Sequence, residues 1–584
     1  MVFIVKKNIH GNDYYYLNEN KREGNKVKTK TLAYLGKTRK DAEKKKKEFL
    51  KKKDNDSKME QISDKKEEKV EKQEKKSEKE ISIGDKLNEI NKIASTKGFF
   101  FQTANIYDGK AGFYTYGHLG KSLKNNWEDL WRKYFLLLNA NFYEIQSNNI
   151  LPEEVFKASG HLENFNDPMI ECIKCHFRFR ADQFLEDNGI ENAEKLTIDE
   201  LNKEIKNKNL KCPKCGGEIS DVKQFNMMFS VNIGFDNEKG YLSPETAQGA
   251  YITFLEEFKA TRNKLPLGLA IIDKAYRNEI SPRQMFFRLR EFSQAELQIF
   301  FNPEEVDNHE KWNEVQNERL RIKFADKKEI EEIICKDANE RLKIPKFYLY
   351  YASKVQNFYL NVLGIPKMKF RFRELSKEER AFYNKLHFDV EIDLDTLGGF
   401  KEVAGVHYRT DHDLAGHAKI SGKNLEVFDE SAKKKILPHV LELSFGVDRN
   451  VWTILDIFYN VGKEGGMFKF PPKISPIKAA IFPLVKTDEK LVKISKEIYE
   501  DLKKDFYVIY DDGGSVGRRY ARNDEIGTPF CITIDRDSVN NKDVTIRNRD
   551  DTKQIRVKVS DLKDILKKLI NQEIEFEKAG KLVK

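Results

Sequence analysis

The sequence predicts an α/β protein of several domains, and three observations carry the prediction. Over 476–584 the short apolar runs "KAAIFPL", "YVIYDD", "FCITID" and "VTIRNR" alternate with the helical patterns "EKLVKISKEIYEDLKKD" and "VSDLKDILKKLINQ", as a compact α/β unit requires. Between 267 and 301 two long aromatic-rich runs joined by "SPRQM" predict a hairpin of antiparallel strands, with Pro282 in the loop where it removes no ladder hydrogen bond. Before residue 81 a stretch almost wholly of Lys, Glu and Asp separates a small basic start from the rest. At 584 residues the chain is too long for one ordinary core; length suggests roughly three or four domains.

Composition narrows the class. Only 39% of residues are hydrophobic, yet 40 Phe and 23 Tyr supply apolar area for sizeable cores. The balance of 105 Lys+Arg against 95 Asp+Glu, net +10, favours an acidic partner. No run approaches the ~18 apolar residues of a membrane span, and "MVFIVKKN" is too short for a signal-peptide core, so the expectation is a cytoplasmic protein with no membrane partner. Six cysteines in a chain of this length make no disulfide framework; four of them come as two close pairs, which read as metal in a reducing cytosol.

In chain order, residues 1–40 predict a basic hairpin-like extension, "DYYYLNEN", a polar turn and "KVKTKTLAYLGK". Alternation along the second run puts Lys26, Lys28 and Lys30 on one strand face, a stripe suited to a phosphate backbone. Residues 41–80 are a charged linker, a helix or a tether with nothing to bury. The main globular part runs over 81–475, with an insertion at about 170–218 and a further one at about 303–385. In the first, "ECIKCHFRFRAD" and "LKCPKCGG" supply Cys172, Cys175, Cys212 and Cys215, two C-x-x-C pairs spaced for a four-thiolate zinc site. Four sulfurs leave no open position, so the Zn²⁺ would be structural, with His176 a bystander.

"YRNEISPRQMFFRLREFSQAE" (276–296) concentrates arginines, rings and carboxylates. By strand parity Arg277 and Glu279 share one face, and Arg288, Arg290, Phe292, Gln294 and Glu296 share another. If the two faces coincide, the set suits a nucleoside triphosphate: Arg for phosphate oxygens, Phe for the base, Glu for an exocyclic amine. An ordinary ion-pair ladder is the alternative. "HVLELSFGVDRNVWTIL" (439–455) reads as a buried strand running into a helix near Gly446, with Glu442 and Ser444 on one strand face. Arg449 then falls in the helix's first turn, where an anion is favoured.

With these residues in view, the chain resembles the class II aminoacyl-tRNA synthetases. "YRNEISPR…FRLREFSQAE" is similar to the second signature of that class, "FGVDRNVW" to the third, and "YEIQSNNILPEEVF" to the first, which builds the dimer interface. The homodimeric glycyl-tRNA synthetase family is the nearer match, through "SPETAQGAY", "FKASGHLENFNDPM", "FRAD", "KEVAGVHYRTDHDLAGH" and "SVGRRYARNDEIGTPF". The resemblance covers about 85–575. It departs at "TYGH" (115–118), where the family has "DYGP", and at Leu443, where a proline is usual.

The resemblance implies a catalytic core on an antiparallel sheet with flanking helices, an anticodon-binding α/β domain at 476–584, and a homodimer acting on ATP, Mg²⁺, glycine and tRNA(Gly). It also implies roles. Arg277 meets the α-phosphate and Arg449 the γ-phosphate, Phe292 stacks on adenine and Glu279 accepts from its amino group. Glu402, beside Val403, is a carboxylate able to hold Mg²⁺. Asn278, Phe287, Arg288, Leu289, Arg290 and Glu291 belong to the same ATP segment, as do Gly446, Val447 and Asp448 before Arg449. For glycine, Glu245, Glu296 and Glu442 suit the ammonium, Arg180 the carboxylate, and Ser444 the wall, with Phe292, Gln294 and Gly446 alongside. A non-catalytic, synthetase-like, nucleic-acid-binding dimer is the alternative; it would not need Arg277, Glu279, Arg449 or Glu245. An adenylating enzyme for a free metabolite or carrier protein would not need the C-terminal domain.

Overall fold

A computed structural model describes residues 2–9, 12–23, 26–47, 83–190, 193–282, 285–377, 379–380, 384–462 and 465–583. Two compact units result, Met1–Ile81 and Ser82–Lys584. From residue 48 the expected charged linker lies outside the described residues.

The first unit is an antiparallel sheet of three strands, β1 (Val2–Ile9), β2 (Asn12–Glu23) and β3 (Lys26–Gly36) in that order, followed by helical backbone over 39–47. The expected hairpin is β2 with β3, and a strand not foreseen extends it: "VFIVKKNI" pairs with β2 in register Val5↔Tyr16 and Lys7↔Tyr14. Its first four residues are all apolar and show no alternation, but a two-stranded ribbon alone is marginal in water and a third strand adds support. One sheet face packs Ile4, Tyr15, Leu17 and Leu35 with Ala42. Lys30 pairs across from Glu19. The side chains of Lys26 and Lys28, also expected in the basic stripe, lie outside those described.

The second unit is built on a nine-stranded sheet. Its strands are β4 (Phe142–Glu144), β5 (Leu267–Tyr276), β6 (Glu291–Phe301), β7 (Arg319–Lys323), β8 (Glu331–Ile334), β9 (Phe370–Glu374), β10 (Leu386–Leu394), β11 (Gly399–Thr410) and β12 (His439–Gly446). They lie in the order β8-β7-β9-β10-β11-β12-β6-β5-β4. All neighbours run antiparallel except β5 with β4 and β7 with β9. The stretch 303–385, expected as an insertion, supplies β7, β8 and β9 to this same sheet.

Helices cover the sheet because their apolar residues recur every turn. In α1 (His118–Phe135), Leu119, Leu123, Trp127, Trp131 and Phe135 form one buried stripe. Trp127, Trp131 and Phe135 meet Phe445 of β12 in tilted and edge-on ring contacts. Where the family has proline, His118 opens α1. Gly120 has to be glycine in this packing: a Cβ there would lie 1.8 Å from the Phe99 carbonyl oxygen. Next come α2 (Lys346–Asn357), whose Tyr348 donates to the Val406 carbonyl, and α3 (Val447–Ile457), continuous with β12.

The hairpin is shorter than its sequence suggests. β5 and β6 pair from Leu267↔Phe300 to Tyr276↔Glu291, and the described residues between them, 277–282 and 285–290, leave the ladder as the two limbs of an arch. Arg290 explains this. Its guanidinium donates to the Glu279 and Ala111 carbonyls and its N–H to that of Gly112, so beyond the last cross-strand bond, Arg277 N–H to the Arg290 carbonyl, the segment turns away from the ladder. Parity therefore governs Phe292, Gln294 and Glu296 but not Arg277, Glu279, Arg288 or Arg290.

The C-terminal α/β sheet has strands β13 (Ala479–Pro483), β14 (Val508–Tyr510), β15 (Phe530–Ile534), β16 (Asp543–Asn548), β17 (Gln554–Lys558) and β18 (Lys581–Leu582), ordered β14-β13-β15-β16-β17-β18. β13 pairs parallel with β14 and β15, and the rest is antiparallel. α4 (Glu489–Leu502), α5 (Val516–Glu525) and α6 (Leu562–Ile570) complete it. Among the described residues no helix is long and apolar enough to cross a membrane.

Candidate active site

Sheet register assembles the site. Gly405 of β11 lies opposite Ser444 of β12, which lies opposite Glu296 of β6. The next row on the same face is His407, Glu442 and Gln298. Residues of opposite parity, Ala404, Phe445 and Ala295, sink into the core. The two rows, all but Gln298, line a cavity of about 210 Å³, which also takes in Glu245, Arg277, Glu279, Phe287, Arg288, Leu289, Phe292, Gln294, Glu402, Gly446, Asp448 and Arg449.

One end of the cavity is buried and acidic. Glu296 and Glu442 are each 3% exposed, and the Glu245 side chain 13%. Ser444 Oγ and Thr246 Oγ1 donate to the two Glu296 oxygens at 2.6 and 2.7 Å. Glu442 accepts from Gln298 Nε2 at 2.8 Å and Arg409 at 3.0 Å, with His407 Nδ1 2.5 Å away. Glu245 accepts from Gln248 at 2.9 Å and lies 3.6 Å from His161 Nε2 and 3.7 Å from Arg409. Arg409, 3% exposed, is also held by both oxygens of Asp413, at 2.8 and 3.0 Å.

These contacts set the charges. Burial pushes the Glu245 and Glu442 carboxyls up, but His161 and Arg409 reverse this at Glu245, and Arg409 and His407 hold Glu442 down at about 2. Glu296 has no such cation. Burial, and then repulsion from Glu442 and Glu245, raises it to about 7. His407 loses stability as a cation through burial but gains more from Glu442, so its pKa lies above the ordinary value. The ring also walls the cavity: a Cβ on Gly405 would lie 2.2 Å from His407 Nε2.

Towards solvent the cavity becomes cationic. Arg277 sits between the Phe165 and Phe292 rings, 5.4 and 5.2 Å from their centroids, and donates to the Pro244 carbonyl. Arg449, 28% exposed, pairs with Glu402, 51% exposed, at 2.9 Å and lies over Phe287. Burial, then the nearby Arg180, draws the Arg288 guanidinium below its ordinary pKa. Asp448 ties the helix start in place, accepting from Tyr116 Oη and Ser293 N–H at 2.5 Å each, with Lys124 Nζ 3.6 Å away.

Six expected residues stand outside the lining. Arg180 is engaged by Asp167 at 2.9 Å and Asp182 at 2.5 Å, next to the Arg288 end. Arg290 braces the arch, Glu291 pairs with Lys274 at 2.9 Å, and the Asn278 N–H donates to the Met227 carbonyl. Val403 and Val447 belong to the core. Sequence reasoning missed Arg409, Asp413, Thr246, Gln248 and Gly405, and left His407 without a role. The Arg-x-x-x-Asp spacing in "YRTDHD" was the available signal for the first two.

In the insertion, the Sγ atoms of Cys172, Cys175, Cys212 and Cys215 all lie within 4.8 Å of one another. Cys172–Cys215 and Cys175–Cys212 are 3.5 and 3.7 Å apart. A tetrahedron with metal–sulfur bonds of about 2.3 Å has edges of about 3.8 Å, whereas a disulfide needs about 2.05 Å. The Cys175 and Lys214 N–H groups point at Cys172 and Cys212 sulfurs, both at 3.4 Å. His176 bonds Glu171 instead.

A wider hollow of about 820 Å³ follows the exposed side of α4, where lysines and acids alternate without converging on a buried polar group.

Comparison with known proteins fits this architecture. Residues 229–458 match the tRNA synthetase class II core domain (G, H, P, S and T), and residues 478–569 the anticodon binding domain. Fold and site thus define a class II tRNA synthetase. Glycine–tRNA ligases of Pyrococcus horikoshii and Pyrococcus furiosus are each 38% identical to this chain over 570 residues, covering 83% of it and 99% of themselves. That of Methanothrix thermoacetophila is 36% identical over 580 residues, covering 86% and 100%. The chain belongs to the glycine–tRNA ligase family. A crystal structure described as the RNA binding domain of threonyl-tRNA synthetase from Cryptosporidium parvum shares the fold, with TM-score 0.52, 16% identity, and coverage of 82% of this chain and 98% of that one.

Proposed function

We propose that this chain attaches glycine to tRNA(Gly) in two steps. The glycine carboxylate attacks the α-phosphorus of ATP and pyrophosphate leaves; a hydroxyl of the terminal ribose of tRNA then attacks the glycyl carbonyl and AMP leaves. The observation that carries this reading is the polarity of one cavity, with three carboxylates at its buried end and Arg277, Arg288 and Arg449 towards solvent. An amino acid carrying an ammonium suits the first end and a triphosphate the second.

Glu245, Glu296 and Glu442 would surround the ammonium, with Arg409 keeping two of them ionised. The His407 ring beside Gly405, and Ser444 tied to Glu296, leave the walls closed to a side chain. Steric closure discriminates more strongly than the roughly 1–3 kcal/mol available per methylene in an open pocket. Arg277, clamped between rings, would grip the α-phosphate in the fixed plane its fork requires. Phe292 would take adenine, Glu279 its amino group, and Arg449 the γ-phosphate. Glu402 would hold Mg²⁺ together with the phosphates; the ion supplies charge neutralisation there.

The four sulfurs fit Zn²⁺, which would be structural because no coordination position remains. Arg180 and Gln183 follow the first cysteine pair, and Gln183, with its amide oxygen turned to Arg288, accepts from that guanidinium at 2.6 and 3.0 Å. The insertion would thereby reach the triphosphate end. A homodimer and a cytoplasmic site of action complete the reading. The test is charging: purified protein, ATP, Mg²⁺ and a tRNA(Gly) transcript should yield glycyl-tRNA and AMP only when glycine is present. Absence of both products in folded protein refutes the reading.

A further inference from the structure

An excess of positive charge nearly equal to that of the whole chain sits where the synthetase resemblance does not reach. Residues 1–47 hold 14 Lys and Arg against five Asp and Glu, an excess of nine in a chain whose whole excess is ten. The fold gives that charge a surface. The three-stranded sheet spends one face on its small core of Leu17, Leu35 and Ala42. The opposite face gathers tyrosines: Tyr34, 49% exposed, lies 5.4 Å from Tyr16 and 6.3 Å from Tyr14, ring centre to ring centre. Lys7 Nζ stands 5.4 Å from the Tyr16 ring centre and Lys37 Nζ 5.7 Å from that of Tyr14. Both lysines are exposed.

Three neighbouring rings on one sheet face, Tyr34 exposed and Tyr14 and Tyr16 half-buried, edged by exposed ammonium groups, have the two parts of a platform for single-stranded nucleic acid. Bases stack on the rings at about 1–3 kcal/mol each, and lysines take phosphates. A purely solubilising basic tail needs no aromatic face, because exposed rings cost solubility. An unpaired RNA segment satisfies both halves at once. We propose that the N-terminal unit is an RNA-binding module that stacks unpaired bases on Tyr14, Tyr16 and Tyr34 and pairs their phosphates with Lys7 and Lys37.

The test uses the full-length protein and a fluorescent oligouridylate about 12 nucleotides long, within the ~4–16 nucleotides such surfaces cover. Anisotropy should show Kd rising at least about tenfold for Tyr16→Ala/Tyr34→Ala. Tyr16→Phe/Tyr34→Phe keeps the rings and should bind as wild type, which separates stacking from misfolding. Lys7→Gln/Lys37→Gln should reduce the slope of log K against log salt by about 1.4, from ~0.7 per phosphate contact. Glycine-dependent pyrophosphate exchange should be the same in all of them. An unchanged Kd in the alanine pair overturns the proposal, as does a loss in the lysine pair alone, which would mean a simple polycation. Tyrosine-dependent binding to phosphatidylserine vesicles without RNA binding overturns it too.

Discussion

Arg409 and Arg277 carry the same charge in different settings. Arg409 is buried among Asp413, Glu442 and Glu245, so removing it strands carboxylates in low dielectric. Arg409→Met should lower stability in urea by roughly 3–5 kcal/mol, and an unchanged unfolding midpoint would contradict the network. Arg277 bonds one carbonyl and two ring faces, and under the proposed function its fork would grip phosphate. Arg277→Lys should leave the midpoint alone and cut pyrophosphate exchange about a hundredfold, by the loss of a preorganised donor; exchange within about threefold of wild type, under ~1 kcal/mol of barrier, counts against the role. Glu296 adds a pH dependence. Its folded pKa, about 7, exceeds the ordinary 4.5, so the folded state holds an extra proton between those values. The stability this contributes is full below about 4.5 and is lost as pH rises through 7. The arriving ammonium favours the carboxylate, so the KM for glycine should rise as pH falls below 7. Glu296→Gln should flatten that rise. Parallel profiles for the two proteins would assign the titration elsewhere.

At the scale of elements, the four-cysteine insertion makes the sharpest prediction. Its small core of Ile170, Phe179, Leu185, Leu201 and Val222 is joined to four converging thiols. Purified protein should contain about one zinc per chain. Cys212→Ser should lose most of it and slow charging through Arg180 and Gln183; full activity without metal would refute a structural site. Elements also mark how far the sequence could be read. The strand face carrying Glu442 and Ser444, the helix start under Arg449, and the face with Phe292, Gln294 and Glu296 follow from alternation, because burial on one side enforces period two. The arch between β5 and β6 does not, because an arginine bonding backbone carbonyls looks in sequence like one on a strand. β1 went unread because "VFIV" is apolar on both faces and "KKN" polar on both, and β17 because five residues of alternation in "QIRVK" make too short a signal. Arg409 was hidden for a related reason: its partners lie 4, 33 and 164 positions away in the chain and meet only after the sheet has formed.

For the whole molecule, the first class II signature and Pro152 imply a homodimer, so sedimentation should give about twice the 68.3 kDa of one chain. A single-chain mass in active enzyme would remove that expectation. The central claim is that one cavity selects glycine and activates it with ATP. Amino-acid-dependent exchange of labelled pyrophosphate into ATP tests it without tRNA, and so without either nucleic-acid-binding region. The account predicts rapid exchange with glycine and, if the His407 and Ser444 walls exclude a methyl as proposed, almost none with alanine or serine. Equal rates with glycine and alanine, or no exchange with glycine in folded protein, would contradict it.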